Sequence, residues 1–137
     1  MPAPVVLIVD DEPMVYQSLR RALQREQLET VQANNADEAL KLMAQKPADV
    51  VICDELMPGL RGNLLLARIK QNWPATIRMM LTGDSRPETI INAINNGEVQ
   101  RFFLKPANEI DIVKQVREAL QRRASRGAIA RPAPLPR

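Results

Sequence analysis

Residues 5–13 read Val-Val-Leu-Ile-Val-Asp-Asp-Glu-Pro, and the fold follows from how that stretch changes character. Five apolar residues in succession, four of them β-branched and none alternating with polar ones, fit a strand buried on both faces. Three acids then bring the chain to the surface. Pro13 stands where a helix begins, since its missing amide hydrogen has no partner in a first turn, and the acids before it face the unpaired amides.

The pattern recurs outward from this stretch. β-Branched runs at Ala48 to Cys53 and Thr76 to Leu81, with shorter ones at Glu29 to Gln32 and Gln100 to Leu104, bring the strands to five. Between them, apolar residues fall at helical spacing: Val15, Leu19, Ala22 and Leu23; Ala36, Ala39, Leu40 and Met43; Leu64 and Ala67; Ile90, Ala93 and Ile94; and Ile112, Val113, Val116, Ala119 and Leu120. Asn34 or Asn35 is placed to cap the second helix, and Pro47, Pro74 and Pro87 lie between periodic segments. Strands separated by single helices require parallel pairing with right-handed crossovers, so the fold class is α/β: a doubly wound parallel (βα)5 sheet with helices on both faces. The 137 residues suffice for one such domain. It is expected over residues 1–122, followed by an Arg/Pro-rich flexible tail or truncated linker over 123–137.

Composition excludes several chemistries. There is no histidine, hence no Ser-His-Asp triad, no H-E-x-x-H zinc site and no phosphohistidine. The five glycines are too scattered for a dinucleotide turn or a P-loop, and the lone Cys53 forms no internal disulfide or zinc cluster and reads as a buried strand residue. Without an apolar run near the roughly 20 residues of a membrane span, and with acids from Asp10 onward where a secretory signal would be apolar, the chain is expected in the cytoplasm. Its net charge of +3 is uneven: from Lys114 onward 7 basic residues face 1 acid, whereas residues 1–113 carry 12 basic and 15 acidic. The basicity belongs to the tail, and no helix-turn-helix fits, so direct nucleic-acid binding is not expected.

Ligands of open parallel sheets bind beyond the carboxyl ends of the strands. There the first strand ends in Asp10 and Asp11, followed by Glu12; the third in Asp54, followed by Glu55; the fourth in Thr82; and the fifth in Lys105 before Pro106. Singly, Asp11 reads as a helix cap, Thr82 as a turn residue, and Lys105 and Glu55 as solvated charges. Together Asp11, Thr82 and Lys105 do not, because carboxylates about 4 Å apart repel by about 4 kcal/mol at an effective dielectric of 20, a cost that a bound cation removes. Carboxylates without histidine or cysteine select Mg²⁺, Mn²⁺ or Ca²⁺ over zinc, and a site with few protein ligands suits Mg²⁺, with Mn²⁺ as an alternative. A metal beside an amine, a hydroxyl and a free carboxylate suits phosphoryl transfer, with Asp54 as nucleophile and Lys105 and Thr82 contacting the transferred group.

The motifs IVDDE at 8–12, DELMPGLRG at 54–62, LTG at 81–83 and FFLKP at 102–106 resemble the receiver domain of two-component response regulators, over residues 4–122. The resemblance implies a flavodoxin-like sheet in strand order 2-1-3-4-5. It implies phosphorylation of Asp54 by the phosphohistidine of a sensor histidine kinase or phosphotransfer protein. It also implies Mg²⁺ ligation by Asp11, Asp54 and the Leu56 carbonyl, with Asp10 acting through water. Thr82 and Phe102 occupy the family's switch positions, and Lys105–Pro106 its cis peptide. Leu56 and Asp84 stand where the family tunes access of water to the acyl phosphate, and Trp73, at the expected end of the third helix, lies far from the site.

Implied partners are a downstream output domain or target protein engaging the fourth helix, fifth strand and fifth helix, or a second copy of the chain. The stretch INAINNGEVQRFFLKP, residues 91–106, resembles receivers joined to HD-GYP phosphodiesterase or similar output domains, which leaves open a receiver of a longer regulator and a stand-alone phosphorelay adapter. The competing enzyme reading, a haloacid-dehalogenase-type phosphatase, needs D-x-D-x-[TV] at the first strand, where this chain has DDEPM. A phosphoacceptor switch with only self-phosphorylation and self-dephosphorylation chemistry is expected instead.

Overall fold

The computed structural model describes residues 3–130, the last four by backbone alone. Five strands alternate with five helices: β1 (Val5–Val9), α1 (Pro13–Arg25), β2 (Glu29–Ala33), α2 (Ala36–Gln45), β3 (Val50–Cys53), α3 (Gly62–Asn72), β4 (Ile77–Thr82), α4 (Pro87–Asn95), β5 (Arg101–Leu104) and α5 (Glu109–Ala130). All pairings are parallel and the strand order is 2-1-3-4-5. The order reverses between β1 and β3, which are paired with Val9 beside Cys53, so Asp10 and Asp54 leave the sheet at neighbouring points.

β1, β3 and β4 are buried at every position, as expected of a sheet covered on both faces. Alternate residues feed two cores. One joins Leu7, Val9, Val51 and Met80 to Met43, Leu65, Leu66, Ile69 and Ala93 of α2, α3 and α4. The other joins Ile8, Ile52 and Met79 to Leu19 and Leu23 of α1 and Ile112 and Val116 of α5. Asn35 caps α2 by accepting from the Glu38 amide at 2.9 Å, and Pro13 and Pro87 open α1 and α4. Trp73 caps the far end of α3.

The expected boundary after Arg122 falls inside α5, which continues to Ala130. Residues 123–130 contain no proline, and Gly127 costs a helix only about 1 kcal/mol against alanine. Arg123 also anchors the extension, reaching the Asp49 carboxylate at 2.9 Å and the Ala75 carbonyl at 3.2 Å. The remaining part of the expected tail, 131–137, lies outside the described residues.

Arg78, buried in β4, faces carbonyl groups in place of a carboxylate. Its guanidinium donates to Thr76 O (2.7 Å), Gly97 O (3.1 Å), Glu98 O (3.3 Å) and Pro74 O (3.4 Å), tying the α4–β5 loop to the start of β4. Burial lowers its pKa.

Candidate functional site

Four strand ends deliver the site. Ladder hydrogen bonds run one residue past the strands, from the Asp10 amide to Ala33 O (3.1 Å) and from the Asp54 amide to Val9 O (3.0 Å), and they fix both carboxylates at the rim. The Lys105 amide donates to Thr82 O (2.9 Å), which brings the lysine back over the same edge. Asp10 and Asp54 are 2 % and 6 % exposed and Thr82 is fully buried. The Lys105 ammonium lies 3.0 Å from Asp10 Oδ2, 2.6 Å from Glu12 Oε1 and 3.0 Å from Asp54 Oδ2. The ammonium donates hydrogen bonds to Glu12 and Asp54 and forms an ion pair with Asp10.

The charges respond to this placement. Burial pushes the Asp10 carboxyl up, and the Asp54 charge adds to that, against the Glu12 amide and Lys105, which pull it down. Burial alone would lower the Lys105 ammonium, but its pairing with the Glu12, Asp10 and Asp54 carboxylates outweighs that and holds the group above its ordinary 10.5. Beside them, burial drives the Cys53 thiol well above 9.0, so the residue is an inert core group.

Oxygens of Asp10, Glu12 and Asp54 all lie within 4.8 Å of one another. Asp11, expected as a direct ligand, is exposed and lies outside this cluster, which includes Glu12. The reason is local: Asp10 Oδ1 accepts from the Glu12 amide at 2.9 Å, a turn that folds Glu12 back over the rim. The Leu56 amide donates to Asp54 Oδ1 at 3.3 Å, while the Leu56 side chain is 51 % exposed.

Glu55 is not the solvated charge expected from its neighbours. It is buried, and its carboxylate accepts from the Asn63 amide (2.8 Å) and Asn63 Nδ2 (2.9 Å), with Arg61 at 3.6 Å. It thus caps α3 from eight residues upstream and closes the loop after Asp54. Gly62 lies so close beneath that loop that a Cβ there would sit 2.1 Å from Asp54 O.

On the opposite side, Asp84 is buried, and its carboxylate accepts from the Arg86 side chain (2.9 and 2.6 Å), the Thr89 hydroxyl (2.7 Å) and the Arg86 amide (3.1 Å). Arg86 and Thr89 hold this carboxyl well below the usual range. Its own amide donates to Thr82 Oγ1 at 3.2 Å. Phe102 packs on the α2–α3–α4 core and Phe103 on the other, so the two adjacent aromatics serve opposite faces of β5. The Lys105–Pro106 peptide is cis.

The receiver-domain model of response regulators matches residues 6–117. The chain belongs to the response regulator receiver domain family. Acceptance of a phosphoryl group is the role of that family, its members bind Mg²⁺ at an acidic pocket, and they act as switches between histidine kinases and output domains. This receiver domain is 33% identical over 126 residues to the hydrogenase transcriptional regulatory protein HoxA of Cupriavidus necator, covering 92% of this chain and 26% of HoxA. It is 31% identical over 116 residues to the DNA-binding transcriptional regulator NtrC of Salmonella typhimurium, 85% of this chain and 24% of NtrC. The receiver domain therefore spans about a quarter of the length of these curated relatives. Among solved structures it resembles the signal receiver domain of an HD domain-containing protein from Pseudomonas fluorescens Pf-5, with TM-score 0.87 and 35% identity, covering 92% of this chain and 93% of that one. A CheY-like receiver from Methanospirillum hungatei JF-1 matches with TM-score 0.86 and 26% identity over 91% and 99% of the two chains.

Of the residues expected at the site, the receiver domain brings Asp10, Asp54 and Lys105 into direct contact and sets buried Thr82 at the same sheet edge, leaving Asp11 and the Leu56 side chain exposed. Glu12, Glu55, Arg86 and Thr89 were not legible as partners, because each acts through a turn or a helix start whose geometry the sequence does not specify.

Proposed function

We propose that Asp54 accepts a phosphoryl group from the phosphohistidine of a sensor kinase or phosphotransfer protein in the cytoplasm, and that this changes the surface offered to an output partner. The observation that carries the reading is the Lys105 ammonium set among Asp10, Glu12 and Asp54 in a receiver fold. An Asp54 oxygen attacks phosphorus, the O–P bond forms as the N–P bond breaks, and the histidine leaves with the electron pair. Asp10 and Asp54, with Glu12 or Asp11 and the Leu56 carbonyl, are the oxygen donors for Mg²⁺, and a set of hard oxygens suits that ion. Bound there, Mg²⁺ would neutralise charge developing on the phosphoryl oxygens. Lys105 does the same from the protein side, and the Thr82 hydroxyl donates a hydrogen bond to them. Phe102, on the α4 side of β5, is the aromatic whose packing answers Thr82.

Intact-mass measurement after incubation with acetyl phosphate tests this. A Mg²⁺-dependent gain of one phosphoryl group, lost in Asp54→Ala, is expected; no gain in folded protein overturns it.

A second reading concerns the output. Matches to about a quarter of HoxA and NtrC and to the receiver of an HD domain-containing protein favour a receiver joined to an output domain over a stand-alone adapter. Coding sequence that continues past codon 137 into an output domain supports it, and a stop codon there refutes it.

A further inference from the structure

Thr82 is 0 % exposed, yet its hydroxyl is not left to choose its own orientation. The Asp84 amide fills one of its lone pairs at 3.2 Å. As the acceptor in that bond, the hydroxyl keeps its proton available for another group. Asp84 is in turn immobilised by four hydrogen bonds, all from residues at the start of α4: Arg86 through its amide, Nε and Nη2, and Thr89 through its hydroxyl. Arg86 is the N-cap of that helix and Thr89 lies in its first turn. Both Asp84 oxygens are engaged by Arg86 and Thr89, away from the Asp54 cluster.

We propose that Asp84 is a positioning residue: Arg86 and Thr89 fix its carboxylate, and its main-chain amide fixes the Thr82 hydroxyl with the proton ready for a phosphoryl oxygen. This rests on the reading of Asp54 as phosphoacceptor. It also ties the orientation of Thr82 to the first turn of α4, so that neither moves without the other. Ile91 and Ile94, 53 % and 55 % exposed on that helix, lie on the surface whose position would change.

The test uses Thr89→Val, which keeps the side-chain shape and deletes one donor to Asp84, with Thr89→Ser as the variant that restores it. Labelling by acetyl phosphate with Mg²⁺ is followed by intact mass, and the Thr82 methyl resonance by NMR. Losing one such hydrogen bond should slow labelling about fivefold in Thr89→Val, with Thr89→Ser close to the unaltered protein. In a Thr82→Val background Thr89→Val should have no further effect, because the interaction acts through that hydroxyl. Unchanged labelling in Thr89→Val overturns the proposal, as does a loss that adds in full to that of Thr82→Val. If the unaltered chain itself gains no phosphoryl group, the phosphoacceptor reading fails and the methyl resonance decides the positioning. A shift in Thr89→Val restored by Thr89→Ser supports it, and an unmoved resonance overturns it.

Discussion

Gly62→Ala tests how tightly the chain is folded beneath Asp54, the proposed phosphoacceptor. The added Cβ would lie 2.1 Å from the Asp54 carbonyl oxygen and 2.9 Å from both Asp54 C and Glu55 Cα. All three are main-chain atoms held by ladder and capping hydrogen bonds, so no side chain can swing aside. The loop or the start of α3 would have to retreat by about 1 Å in an interior packed as densely as a crystal. Overpacking of this kind costs about 3 kcal/mol, which at a slope of about 1.5 kcal/mol per molar lowers the urea midpoint by about 2 M. Gly83→Ala is the internal control, because nothing lies within 4 Å of its Cβ position. There alanine should be neutral or stabilise by about 0.5 kcal/mol, through the unfolded chain. Urea unfolding of both variants by circular dichroism checks the pair. A Gly62→Ala midpoint equal to that of Gly83→Ala would refute the close approach as a constraint. Since the clash falls on the carbonyl of Asp54 itself, acetyl phosphate labelling of any folded Gly62→Ala protein should fall as well.

Lys105→Met leaves the buried Asp10 and Asp54 without their cation and should destabilise the metal-free protein by about 2 kcal/mol, below the full cost of breaking a buried pair because Glu12 reaches solvent. Millimolar Mg²⁺ should recover part of that in thermal melts, and an unchanged melting temperature without metal would contradict the arrangement. Because the Asp84 carboxyl is held low in the fold, its pairing stabilises above its ordinary 3.8 and that stabilisation is lost as pH falls through the depressed value. The urea midpoints of the unaltered protein and Arg86→Gln should therefore differ at pH 7 and converge below pH 3.8, and a constant gap would contradict this. Arg78→Met removes the donor for the carbonyls of Thr76, Gly97, Glu98 and Pro74 and should cost about 2 kcal/mol, with amide exchange accelerating first in residues 96–100.

The elements that sequence made legible are those set by continuous apolar runs and by proline. VVLIV and VVIC could only be strands covered on both faces, and Pro13 and Pro87 could only open helices, so five strands and five helices appear where periodicity places them. The end of α5 was not legible, because the basic, proline-rich composition of the last residues obscured eight residues that keep helical geometry beyond Arg122. At the site, Asp10, Asp54, Thr82 and Lys105 were legible because strand ends fix their positions. The partners were not. The placement of Glu12 at the rim depends on a two-residue turn around the Asp10 carboxylate, that of Glu55 on a cap spanning eight residues, and that of Asp84 on the rotamers of Arg86 and Thr89.

The ion-pair geometry carries one more consequence. Three carboxylates against one ammonium leave two negative charges in a largely buried rim, a deficit that a divalent cation matches and a monovalent one does not. Lys105 donates to Glu12 and Asp54 while pairing with Asp10, so these carboxylates compete with a phosphoryl oxygen for it. Contact with the phosphoryl group is therefore favoured when Lys105 releases at least one of them. Glu12 is the one that can be released at least cost, since its side chain is 59% exposed and can be solvated, whereas those of Asp10 and Asp54 are 3% and 7% exposed. On this argument Glu12 is a resting partner of the lysine, and Glu12→Gln should leave the phosphoacceptor intact while easing the departure of Lys105. Labelling by acetyl phosphate should then be as fast as or faster than in the unaltered protein. A Glu12→Gln protein that folds but no longer labels would show that Glu12 is an essential metal ligand and that the lysine leaves by another route.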